Sequence, residues 1–327
     1  MPHGAAYDAH TKEAWPILRL LLSDWPFDPP VVVGVLTPVL LYARGLSYAR
    51  AHGSASRVRW WHVAAFGSGV LLIWVALQTP IEDGADQLLW VHMLQHELLI
   101  VGAAPLLVLS APLMPLWRAV PLGMRRTSLR WFTQQRWARH VGKLLHAFLG
   151  APGGVPGVAW LLFLGDAALW HLPAVYDVAL RHPPIHDLEH LLFLGTALLF
   201  WVQVIPSPPW RPHLDDRARA FFVGSAGVAL HLFDFVFILA AVPLYPYYAA
   251  VPRTSGMPTS LTDQAMAGGV MELLNMSVFA VAFGLVLWHS WARPPYAGQG
   301  AGSVGQLGAA NRSVVADHEN LPGEGRQ

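Results

Sequence analysis

The stretch Trp90-Val-His-Met-Leu-Gln-His-Glu-Leu-Leu-Ile-Val-Gly-Ala-Ala-Pro105, continuing to Trp117, decides the fold. From Leu98 to Trp117 it carries no charged residue, and these 20 positions meet the length of a membrane-spanning helix. His92 and His96 stand at its head, four residues apart. On a helix that spacing leaves them about 40° apart in azimuth and about 6 Å apart along the axis, so both imidazoles face one way. Two imidazoles on one face can share a metal ion. A second copy of the device, His186-Asp-Leu-Glu189-His190, opens another apolar run. The two pairs are expected to face each other across a helix bundle.

The rest of the chain supports a membrane environment. Apolar and aromatic residues make up 54% of the 327, and only 13% are charged, about half the usual share for a soluble protein. A formal net charge of +1 leaves no basic footprint for nucleic acid. Cysteine is absent, which removes disulfides, thiolate metal sites and thiol redox chemistry. A bound metal would have to rely on His, Met and carboxylate ligands.

The expected fold is all-α and polytopic, with seven transmembrane helices at roughly 31–49, 61–79, 89–117, 157–177, 186–205, 219–242 and 266–290. Pro105, Pro112 and Pro115 predict a bend in the third. With the N-terminus outside and the C-terminus inside, 17 Lys and Arg fall in inner segments and four in outer ones. That bias orients the chain by the positive-inside rule. Residues 1–30 then form a periplasmic N-terminal segment and 31–292 the membrane domain. A basic amphipathic cytoplasmic loop at 118–156 suits a lipid surface, and the Gly- and Ser-rich residues 293–327 read as a disordered cytoplasmic tail.

This orientation places ionisable residues of five spans in one outer half. They are His92 and His96; Asp166 and His171; His186, Glu189 and His190; His231 and Asp234; and Asp263 and Glu272, the last two with Met271 and Asn275 on the same span. Gly224, Gly227, His231 and Asp234 share a stripe on the sixth span, matched by Gly268, Met271, Glu272 and Asn275 on the seventh. Asp166 and His171 are about 140° apart on an ideal helix, so both turn inward only if the turn before Pro173 is distorted. A carboxylate at mid-membrane costs roughly 2.5–3.5 kcal/mol, which demands a partner, a proton or a metal.

The candidate metal ligands are therefore His92, His96, His171, His186, Glu189, His190, His231, Asp234, Met271 and Glu272. Imidazole suits copper and zinc, and the nearby thioethers of Met93, Met266, Met271 and Met276 favour copper. Zinc is the runner-up.

Several motifs resemble one family. They are His92-Met-Leu-Gln-His96, Pro105-Leu-Leu-Val-Leu-Ser-Ala-Pro112, Trp170-His171-Leu-Pro173-Ala-Val-Tyr176-Asp177, and His186-Asp-Leu-Glu189-His190. The corner Leu244-Tyr245-Pro246-Tyr247-Tyr248 and the run Asp263-Gln264-Ala-Met-Ala267-Gly268 complete the set. In this order, over about residues 60–290, they look like the CtaG-type cytochrome c oxidase assembly factors of bacteria. The resemblance implies a seven-helix protein of the plasma membrane that matures a haem–copper oxidase, with copper handling as its role and oxidase subunits as partners. It carries His92, His96, His171, His186, Glu189, His190, Asp263 and Gln264 as motif residues. Glu97 and Glu272 depart from the family pattern, which has apolar or aromatic residues there.

Three other readings compete. A zinc-dependent intramembrane hydrolase would use Glu189 or Glu272 as general base. A haem-carrying bundle would ligate iron through one His from each of two helices. A metal-free scaffold would use the polar stripes only to hold helices together.

Overall fold

Proline positions and apolar run lengths set where the helices begin and end. The structure is a computed structural model and describes residues 25–52, 58–135, 154–209, 214–253 and 256–292. Nearly all of the expected N-terminal segment, the far half of the basic loop and the tail lie outside the described residues.

The chain opens with α1 (Pro29–Ala51) and α2 (Trp60–Leu77), followed by the short α3 (Ile81–Ala85). The decisive stretch forms α4 (Leu89–Glu97), a π-helical turn (Leu98–Ala103) and α5 (Ala104–Leu109). Two further helices, α6 (Leu113–Ala119) and α7 (Leu122–Gln134), carry the chain away. After them come α8 (Gly154–Trp170), α9 (Pro173–Arg181), α10 (Pro183–Val204) and α11 (Asp216–Leu239), then the short α12 (Pro246–Ala250) and the long α13 (Ser260–Trp291). Among the described residues six helical segments are long and apolar enough to cross a membrane, or seven if the bent pair α8–α9 is one span. The protein is all-helical, as expected, and fits a multi-pass membrane protein.

Large apolar side chains cover the outside: Leu191, Phe221 and Leu273 are all about two-thirds exposed or more. Buried positions include His92, Gln95, His96, Glu189, Asp234 and Asp263. Apolar outside with polar groups gathered inside is the arrangement that lipid as solvent favours.

One boundary in the decisive stretch differs from the sequence expectation. The third span ends at Leu109, not Trp117. Ala111 takes a left-handed backbone (φ 48°) just before Pro112, which turns the chain into the separate α6. There Gly45 of α1 lets Pro115 approach, since a Cβ on Gly45 would sit 1.9 Å from the Pro115 carbonyl oxygen. Pro105 follows directly on the π-helical turn, in the first turn of α5. Within that turn the Ala104 N–H reaches back to the Leu99 carbonyl, and the Ile100 carbonyl is taken by the Trp201 indole N–H at 3.0 Å. A side chain of α10 thus satisfies the acceptor that the irregular turn releases.

The fourth span is broken where distortion was required. Leu172 is extended, as a residue before proline prefers, and α8 and α9 meet at 74°. The matched stripes of α11 and α13 also pack as expected. A Cβ on Gly268 would meet Phe237 Cβ at 2.8 Å and the Asp234 carbonyl at 2.9 Å, and Gly227 lies against Phe279.

The motif pair Asp263–Gln264 fastens this architecture. Asp263 accepts from the backbone N–H groups of Leu89 and Trp90, both at 3.1 Å, and so caps α4 from another helix. It also pairs with Arg253 at 3.0 Å. Gln264 accepts from the Leu244 N–H at 2.6 Å and donates to the Val242 carbonyl, fixing the link between α11 and α12.

Candidate metal centre

Helix periodicity puts His92 and His96 on one buried face of α4, and His186 and His190 on one face of α10. The fold sets these faces against each other. His92 Nε2 lies 2.8 Å from His96 Nε2 and 3.2 Å from His186 Nε2. One nitrogen from each of the four imidazoles falls within 4.8 Å of the others. Three of the rings are buried, and His186, with a side chain 12% exposed, opens the group to the surface.

Proton positions decide what this group can do. The Tyr248 hydroxyl donates its only proton to the Ala85 carbonyl, so it accepts from His92 Nδ1 at 2.9 Å. The His92 proton is thereby held on Nδ1, and its Nε2 lone pair points at the other imidazoles. His190 Nε2 is buried with no hydrogen-bond partner, and so are both carboxylate oxygens of Glu189. Glu189 Oε1 lies 3.7 Å from His96 Nε2 and is fully buried. Four converging imidazole nitrogens beside a buried carboxylate with no hydrogen-bond partner are a donor set that fits a cation.

At the mouth stands Glu82, which sequence reading passed over. Its Oε1 is 3.8 Å from His186 Nδ1, and its other oxygen accepts from Gln95. Burial pushes the Glu82 carboxyl up to about 7, against the pull of the Gln95 hydrogen bond and with a further push from Asp86, Asp187 and Asp83. Those acidic neighbours form a rim that attracts cations.

The remaining expected ligands stand outside the four. His171 donates its Nδ1–H to the Ala167 carbonyl at 2.7 Å and presents Nε2 to Met93 Sδ at 3.3 Å. Met271 is buried in the same apolar cluster as Met93. His231 pairs with Glu272 at 2.6 Å on the α11–α13 seam. Asp234 accepts from Asn275 at 3.0 Å, and the same amide donates to Glu97 at 3.2 Å. Asp166 accepts from the Thr196 hydroxyl at 2.9 Å.

The family model of the cytochrome c oxidase caa3 assembly factors (Caa3_CtaG) matches residues 40–293. The chain belongs to this family. No curated protein and no solved structure matches it. In this member of the family, the four-imidazole group and the Asp263–Gln264 fastening both lie in the matched region. Glu97 and Glu272 are each held by a polar partner: Asn275 for one, His231 for the other. Met93, Tyr248 and Glu82 complete the surroundings of the centre. Met93 is one of the thioethers that the sequence places beside the first His pair, whereas nothing local pointed to Glu82.

Proposed function

We propose that this protein binds copper at His92, His96, His186 and His190, with Glu189 supplying nearby negative charge, and delivers it to a haem–copper oxidase during assembly. The observation that carries this reading is the meeting of four imidazole nitrogens within 4.8 Å, with the His92 proton tied away on Nδ1. Neutral imidazoles suit copper and zinc, and the absence of thiolates with methionines close by favours copper. The role is that of a carrier and not of an enzyme, with oxidase subunits as partners.

The excess of Lys and Arg on one set of connecting segments supports an N-terminus outside and a C-terminus in the cytoplasm. The metal centre then faces the periplasm of a bacterial plasma membrane, and the basic helix α7 faces anionic lipid. The cation enters past Glu82 and His186, where the acidic rim meets the exposed ring edge.

Metal analysis of purified protein beside the His92→Ala/His96→Ala variant tests the reading. The wild type is expected to retain copper and the variant to lose it; equal copper in both contradicts the proposal.

A further inference from the structure

We infer that a second, softer metal site adjoins the four-imidazole centre, built from His171 Nε2 and the thioethers of Met93 and Met271, and that it takes copper(I). The inference rests on reading the four imidazoles as a copper site and adds a place for the reduced ion beside them.

The His171 proton is spent on the Ala167 carbonyl, 2.7 Å from Nδ1. Its Nε2 therefore carries a lone pair, and what it faces at 3.3 Å is the Met93 sulfur, which has no proton to give. Two donors without a hydrogen between them, both buried, meet as two ligands of one ion would. With legs of about 2.0 Å to nitrogen and about 2.3 Å to sulfur, the 3.3 Å separation subtends about 100°. Met271, 3% exposed, shares a buried cluster with Met93 and lines a cavity together with His171.

Glu97 and Asn275 line that same cavity, and Glu97 Oε2 and Asn275 Oδ1 are buried without partners. A carboxylate and an amide oxygen left open beside the Met271 thioether suit a cation and not an apolar ligand. Thioether ligation selects copper(I) and leaves zinc at the imidazoles. The ring of His171 lies 6.3 Å from that of His96, so an ion can pass between the sites by exchanging one ligand at a time without leaving the interior.

The test loads full-length protein in detergent, under argon, with copper(I) alone or zinc(II) alone, and compares wild type with Met93→Leu/Met271→Leu. Metal-to-protein ratios and copper-edge X-ray absorption are read. Wild type is expected to take two copper(I) and one zinc(II), with sulfur scattering at about 2.3 Å. The leucine variant is expected to keep one copper(I) in a sulfur-free shell, with zinc unchanged. A sulfur-free shell in wild type, or two copper(I) in the variant, overturns the inference. One sulfur-free copper(I) in wild type overturns this inference alone, whereas a wild type that takes up neither metal overturns the four-imidazole reading with it.

Discussion

His92 donates its Nδ1–H to the Tyr248 hydroxyl over 2.9 Å, and that hydroxyl donates in turn to the Ala85 carbonyl over 2.5 Å. The chain of two bonds fixes the tautomer of a candidate ligand from α12 and α3, elements that contribute no imidazole to the group themselves. Tyr248→Phe removes the acceptor while keeping the ring. Partners of this kind typically contribute 10- to 100-fold in metal affinity, so copper affinity is expected to fall by roughly 10- to 100-fold. Competition titration against a chelator measures it, and unchanged affinity would show that the tautomer is set elsewhere.

Asp263 fastens α13 to α4 and to Arg253. Its carboxylate caps α4 through Leu89 and Trp90 and pairs with Arg253. Asp263→Ala strands two helix N–H groups and a partly buried guanidinium, with an expected loss of about 2–4 kcal/mol. Thermal unfolding in detergent should show the loss in metal-free protein. Asp263→Asn, which keeps an acceptor oxygen, should lose less.

The seam between α11 and α13 depends on Gly268. An added Cβ would meet Ile238 Cγ1 and Phe237 Cβ at 2.8 Å and the Asp234 carbonyl oxygen at 2.9 Å, none of them the flexible end of a long side chain. Gly268→Ala is expected to cost about 1–3 kcal/mol through overpacking. The same change at Gly269, whose Cβ would meet nothing within 4 Å, is the control and should be neutral or slightly stabilising. Comparing their melting temperatures separates packing from helix propensity.

Orientation can be read directly, because the chain has no cysteine to remove. Ala250 and Gln134 are both exposed, at the α12 corner and the end of the basic helix α7. With the N-terminus outside, Ala250→Cys is expected to react with a membrane-impermeant thiol reagent in intact spheroplasts. Gln134→Cys should react only after permeabilisation. The opposite pattern would reverse the topology and place the metal centre on the cytoplasmic side.

Much of the fold was legible because a membrane makes run length and charge decisive. The two His pairs were equally readable, since four-residue spacing fixes a shared face whatever the surroundings. The break at His171–Leu172 could be expected from the azimuths of Asp166 and His171 together with Pro173, although the break leaves Asp166 bonded to Thr196. Depth and rotation were harder. His231 and Glu272 lie on the expected stripes, yet the stripes face each other across the α11–α13 seam and their polar residues pair there. Periodicity gives a residue's azimuth on its own helix but not which neighbour that azimuth meets. Glu82 was invisible for a related reason: it sits on a five-residue helix, and only the long-range contacts with Gln95 and His186 give it meaning.

The most direct measurement is a crystal structure of copper-loaded protein with anomalous scattering collected at the copper edge. The expected result is a peak among the imidazoles of His92, His96, His186 and His190, within bonding distance, about 2.0–2.1 Å, of their nitrogens. Copper bound elsewhere while these four rings remain free of it would contradict the central claim.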